Sequence, residues 1–138
     1  MSSTMRWSYV NTTQVVVHTT ESPHMEEWEA FLADLGHRIG HVRSMFVYSL
    51  GGGPTTPQRS GFKRLLEGAR ADPTIAVLTG SDFVRGVVTA INWFKKTRIR
   101  LFPLDGRIEA ANHLGLGPSE RIEVWATLDD LRRQLGML

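Results

Sequence analysis

The pattern of apolar and polar positions divides the chain into short apolar runs and longer stripes of helical spacing. Ile75–Leu78 is apolar without alternation, which marks a strand buried on both faces. Thr79-Gly80-Ser81-Asp82 breaks it. Ser81 or Asp82 can cap the helix that follows, because a short side-chain oxygen accepts from the unpaired amides of a first turn. Val84, Val87, Val88, Ile91 and Phe94 recur at helical spacing, and Lys95 and Lys96 meet the free carbonyls of the last turn. Ile99, Leu101 and Phe102 form a second strand, with Arg98 and Arg100 alternating outward. Two strands joined by a helix of this length run parallel, with a right-handed crossover.

The same signals organise the rest. Met1–Met5 is expected as a disordered tail. Trp7–Val10 and Gln14–His18 are strand-like and separated by Asn11-Thr12-Thr13, a β-hairpin pattern. Ser22-Pro23 opens a helix with serine as cap and proline at the first position. Its core stripe is Met25, Trp28, Phe31 or Leu32, Leu35 and Ile39. Ser44–Leu50 is the next strand, and Gly51–Pro57 a long loop. A helix starts at Gln58-Arg59-Ser60-Gly61, with Phe62, Leu65, Leu66 and Ala69 inward, and Ala71-Asp72-Pro73 closes it. After a turn at Pro103–Gly106, Arg107–Leu114 is a helix with Ile108, Ala111 and Leu114 inward. Gly115–Pro118 breaks it. Ile122 and Val124 suggest a short strand or an extended linker, and Thr127 caps a last helix with Leu128, Leu131 and Leu135 as its stripe. The order predicts a single α/β domain with a mixed, mainly parallel sheet, an N-terminal β-hairpin and four to five helices. It covers residues 6–138, with 117–138 as a C-terminal extension.

Composition narrows the class. At 138 residues, 41% hydrophobic and 22% charged, the chain is expected to fold without staples. The absence of cysteine excludes disulfides, thiolate metal sites and cysteine nucleophiles, and fits a reducing cytoplasm. The N-terminus carries no apolar signal-peptide core, and no apolar run approaches a membrane span. The pI is near 9.4, but the net charge is only +2 and the basic residues form no single block. Nucleic acid is therefore not the expected partner.

The strongest candidate for chemistry is the loop Gly51–Ser60, at the C-terminal end of a strand and before a helix, where open α/β sheets bind ligands. Helix amides, Arg59 and Lys63 could hold an anion there, and a phosphate on Ser60 would suit the same field. No Gly-Lys-Ser/Thr follows, so it is no P-loop. The plain alternative is a connector of turn-forming residues. Thr79-Gly80-Ser81-Asp82 is a second junction on the same edge, either helix capping alone or part of one patch with Ser60. No Gly-x-Ser-x-Gly elbow is present. His37 and His41 are spaced i, i+4, but Arg38 stands where a zinc helix has glutamate. His18, His24 and His113 are isolated and carry no assigned role. Trp28 and Phe94 are at core spacing; Trp93 lies off the stripe and would mark an interface if exposed. Arg98, Arg100 and Arg107 suit a solvated strand face or, more sharply, an acidic partner. No catalytic set, metal set or cofactor motif emerges.

Two segments carry a family resemblance. VYSLGGGPTTPQRSGFKRLL resembles the strand, switch loop and helix of the STAS fold of anti-sigma-factor antagonists. IAVLTGSDFVRGVVTAINWFKKTRIRLFPLDGRIEAANHL is similar to the C-terminal half of SpoIIAA-like domains. Together they place residues 8–115 in that pattern. Antagonists carry an Asp-Ser-Ser-Gly-like switch. Here Ser60-Gly61 matches its final pair, Arg59 stands at the phosphorylated position, and the aspartate is missing. The resemblance implies a cytoplasmic, non-enzymatic regulatory domain that docks a protein partner through Gly52, Gly53, Thr55, Thr56, Arg59, Ser60, Lys63, Ser81 and Asp82. The alternative is a small-molecule or anion-binding protein, or an enzyme, using the same strand-end crevice. A third reading is a homo-oligomer formed through the edge strand Trp7–Val10.

Overall fold

The computed structural model describes residues 2–95 and 98–138, with the side chains of 90–97 outside the description. The expectations for Ile91, Trp93, Phe94, Lys95 and Lys96 fall outside the described side chains. Five strands form one sheet in the order β1-β2-β3-β4-β5: β1 Met5–Val10, β2 Thr13–His18, β3 Ser44–Ser49, β4 Thr74–Thr79 and β5 Ile99–Phe102. β1 pairs antiparallel with β2, and the remaining pairs are parallel. The helices are α1 Met25–Arg38, α2 Thr56–Ala69, α3 Asp82–Lys95, α4 Arg107–Leu114 and α5 Pro118–Gln134, with a 3-10 turn at Ile39–His41. The α/β class, the mixed sheet and the leading hairpin are as the sequence predicts.

Sequential parallel strands linked by right-handed crossovers put α1, α2 and α3 on one face. Strand alternation sorts the side chains accordingly. Val15, Val17, Phe46, Tyr48, Ala76 and Leu78 meet α4 and α5, with Ala110, Ala111, Val124 and Leu128 fully buried among them. Met5, Val16, Met45, Ile75 and Val77 face α1, α2 and α3.

Several boundaries differ from the sequence reading. Residues 1–5 are not all tail. Met5 starts β1, and Thr4 is buried, its amide and hydroxyl donating to the Glu27 carboxylate at 2.9 and 2.6 Å. α1 starts at Met25, with His24 rather than Ser22 as cap, because the Glu27 carboxylate reaches back to the His24 amide at 3.2 Å. Met25 is consequently exposed, and Phe31 is the fully buried member of its pair with Leu32. α2 starts two residues early: Thr55 and Gln58 close a reciprocal capping box. Ile108 is exposed, and Ala110 takes the inward place beside Ala111 and Leu114. Residues 117–138, whose packing the sequence leaves open, lie against the sheet. Pro118 opens one continuous helix through the expected Ile122–Val124 strand and past Thr127, because Val124, Leu128 and Leu131 share a face that seals β1 and β2.

Candidate functional site

The face of the sheet toward α1–α3 is built in rows. Gln14, Met45, Ile75 and Ile99 lie side by side across the strands. Val16, Val47, Val77 and Leu101 form the next row, and His18, Ser49 and Thr79 the last, at the C-terminal strand ends. The first two rows are apolar apart from Gln14; the third is polar throughout. Above this floor α2 leans on α1 rather than on the sheet. The Trp28 indole N–H donates to the Gln58 carbonyl at 3.0 Å, and the Phe62 ring lies 6.5 Å from both Trp28 and Phe31. No residue of α2 is fully buried. A cavity of about 710 Å³ remains between the floor, α1, α2 and α3. Val47 and Val77 line it from below, Phe62 and Leu66 from α2, and Val84 and Val87 from α3.

The strand-end loop is fastened rather than loose. The Ser49 hydroxyl donates to the Gly52 carbonyl at 2.6 Å and accepts from the Gly51 amide at 3.1 Å. The Gly52 amide donates to the Thr19 carbonyl at 2.8 Å, and a Cβ on Gly52 would stand 2.1 Å from the Glu21 carbonyl oxygen. Only glycine permits so close an approach. Arg59 donates to the Pro54 carbonyl and the Thr56 hydroxyl, both at 2.8 Å, and among the described residues it meets no carboxylate. Ser60 is exposed and its hydroxyl donates to the Thr56 carbonyl at 3.2 Å. Because α2 begins at Thr56, Ser60 lies beyond the first-turn amides, and a phosphate there would not reach them as the later start implies.

His18 is the buried polar group that sequence reasoning passed over. It is 5% exposed and borders the cavity, while its Nδ1 is sealed from solvent with no hydrogen-bond partner among the described residues. Burial pushes the imidazole down to about 4, against a smaller upward pull from Glu27. It is therefore neutral at pH 7. Glu27 itself would be raised by its burial, but hydrogen bonds from Thr4 and His24 outweigh this and hold it below its ordinary value.

The structure brings Gly52, Gly53, Thr56, Arg59, Ser60 and Lys63 to the cavity wall. Thr55 serves as the α2 cap instead. Ser81 caps α3, its hydroxyl accepting from the Val84 amide at 3.3 Å, and it neighbours Gly51; it does not line the cavity, nor does Asp82. The far end of the cavity is formed by Arg70, Asp72 and Arg98, where Arg98 and Asp72 make an exposed pair at 3.5 Å. Among the described residues no group of three His, Asp or Glu side chains could hold a metal.

No family model, curated protein or solved structure matches this chain. The cavity is therefore read from its own chemistry. It is an open pocket with an apolar floor and with Arg59, Ser60 and Lys63 of α2 on its wall. Among the described residues no helix is long and apolar enough to cross a membrane.

Proposed function

We propose that the chain binds a small, largely apolar molecule in the cavity between the sheet and α1–α3. The cavity itself is the observation that carries this reading. Its volume of about 710 Å³ lies within the range of small-molecule sites, about 300–1,000 Å³, and its floor is valine, methionine and isoleucine. A thermal-shift screen with dodecanol, dodecanoate and aromatic probes tests it, because a ligand held only by the folded state raises the midpoint. A saturable rise with at least one probe is expected. No rise with any of them sinks the reading.

A second reading keeps the regulatory docking that the STAS resemblance implies. It is favoured by Phe83, which is 71% exposed at the rim of the same cavity, close in the chain to Ser81 and Asp82. A docked protein would bury that ring, and a charge at exposed Ser60 would act on the neighbouring rim. Affinity capture with wild type beside Ser60→Glu tests this. A partner held equally by both keeps docking and removes the switch.

A further inference from the structure

The two edges of the sheet are finished differently. β5 is four residues long and carries exposed Arg100, with exposed Arg98 just before it. Short strands and charges blunt an edge that would otherwise pair with another chain. β1 is six residues long, contains no proline, and pairs with β2 residue for residue without a bulge. Its one charge is Arg6, near one end.

Alternation shows which backbone groups of β1 are already used. The Thr19 amide donates to the Thr4 carbonyl at 2.9 Å, and the Asn11-Thr12 turn joins the closing pair Val10 and Thr13. Thr4, Arg6, Ser8 and Val10 therefore turn their backbone groups toward β2, and Trp7 and Tyr9 turn theirs outward. Among the described residues no group bonds to the outward N–H and C=O of Trp7 and Tyr9. Their side chains are drawn to α1 instead, where the indole N–H and the phenol O–H both donate to Asp34, at 2.8 and 2.9 Å. Met5 and Val10 are buried, whereas Trp7, Ser8 and Tyr9 keep partial exposure. The open part of the edge is thus centred on Ser8, with an outward-facing residue on either side.

We propose that this edge pairs antiparallel with β1 of a second copy of the chain, about a twofold axis at Ser8. Trp7 then exchanges backbone hydrogen bonds with the partner subunit's Tyr9, and Tyr9 with the partner subunit's Trp7. Ser8 faces the partner subunit's Ser8 as a pair without backbone bonds, which keeps the two Arg6 side chains apart. Two five-stranded sheets become one. The contact uses the same strand from both copies and leaves only the arginine-guarded β5 edges outside, so assembly stops at two. The dimer does not depend on what the cavity holds.

Sedimentation equilibrium of the full chain across the micromolar range tests it, with the mass expected to rise from the 15.5 kDa of one chain toward twice that. Ser8→Glu and Ser8→Lys each set like charges face to face and should each weaken the dimer about fivefold. Mixing the two variants should restore it, which unfolded variants could not do. Opposed residues of this kind lie about 4.5 Å apart at Cα, within disulfide reach, so Ser8→Cys should oxidise to a covalent dimer in a chain with no other cysteine. A single-chain mass at every concentration overturns the dimer. A dimer indifferent to both charges, with Ser8→Cys left unlinked, overturns the edge as its contact. If Ser8→Cys in native extract joins a different protein and never itself, the edge belongs to that protein and the proposal falls.

Discussion

The two faces of the sheet use the same strands and end differently. On one, Phe46, Ala76 and Leu78 pack against Ala110, Ala111, Val124 and Leu128, each fully buried. On the other, Val47 is only partly buried and lines a cavity of about 710 Å³. The helices make the difference. α4 and α5 present small or branched apolar residues and approach closely. α2 turns Arg59, Ser60 and Lys63 toward the cavity and takes its support from Trp28 and Phe62 instead. Close packing therefore extends across the α4–α5 face, whereas on the other face it is centred under α1, on Val16, Phe31, Leu35 and Met45.

The largest effect that would sharpen this contrast is Leu128→Ala on the closed face. It should lower unfolding free energy by about 2–5 kcal/mol in urea titration, with little change in cavity binding by the folded fraction. A cost below about 1 kcal/mol would mean the closed face is not the anchor.

Next comes acid. The His18 imidazole is pushed from its ordinary value of 6.5 to about 4. The unfolded chain therefore binds the extra proton first. Stability contributed by keeping His18 neutral is full above pH 6.5 and is lost as pH falls toward 4, by about 3 kcal/mol over the window. Glu27 and Asp34 titrate below their ordinary values, so their contributions fade only at lower pH. Asp34 would be raised by burial, but Trp7, Tyr9 and Arg38 outweigh it. His18→Leu should flatten the slope between pH 6.5 and 4 and raise stability at pH 7 by about 1 kcal/mol, since an unpartnered polar atom is removed. Denaturant titrations at several pH values measure both; an unchanged slope would contradict the buried, neutral His18.

Overpacking separates the faces directly. Ala76→Leu should cost about 1–3 kcal/mol on the filled face, whereas Val47→Leu should cost under about 1 kcal/mol because its extra bulk enters empty space. Calorimetric unfolding of the pair decides it, and equal costs would argue that the cavity side is packed after all. The smallest effect is at the α2 cap, where Thr55→Ala should cost about 1 kcal/mol by the same measurement.

Most of the fold was legible because strands and helices announce themselves by period. The run Val15-Val16-Val17 and the stripe from Trp28 to Leu35 needed no tertiary knowledge. What failed was decided by capping and by side-chain geometry. Glu27 fixed the start of α1, and Gln58 fixed that of α2, through hydrogen bonds that several residue choices could equally have made. Ile122 and Val124 carry strand propensity, and packing against β1 and β2 overrode it. The loop half of the candidate site was visible from Gly51 to Lys63. His18 was not, because a histidine after three valines shows nothing of its missing partner. The available signal was alternation: Val16 and His18 share one face, and the chain next turns there into the Thr19–Glu21 segment that holds Gly52.

The sheet order carries a consequence for how the chain is made. Each strand lies beside the one synthesised just before it, so a nascent chain can extend the sheet from β1 to β5 without waiting for a distant segment. The covering of β1 and β2 has no such luxury. It depends on α5, the final helix, which must return across the sheet to lay Val124, Leu128 and Leu131 over strands completed about a hundred residues earlier. Until then Val15 and Val17 stand open to other chains, and the interval between the first strand pair and the last helix is when this protein is most exposed to misassembly.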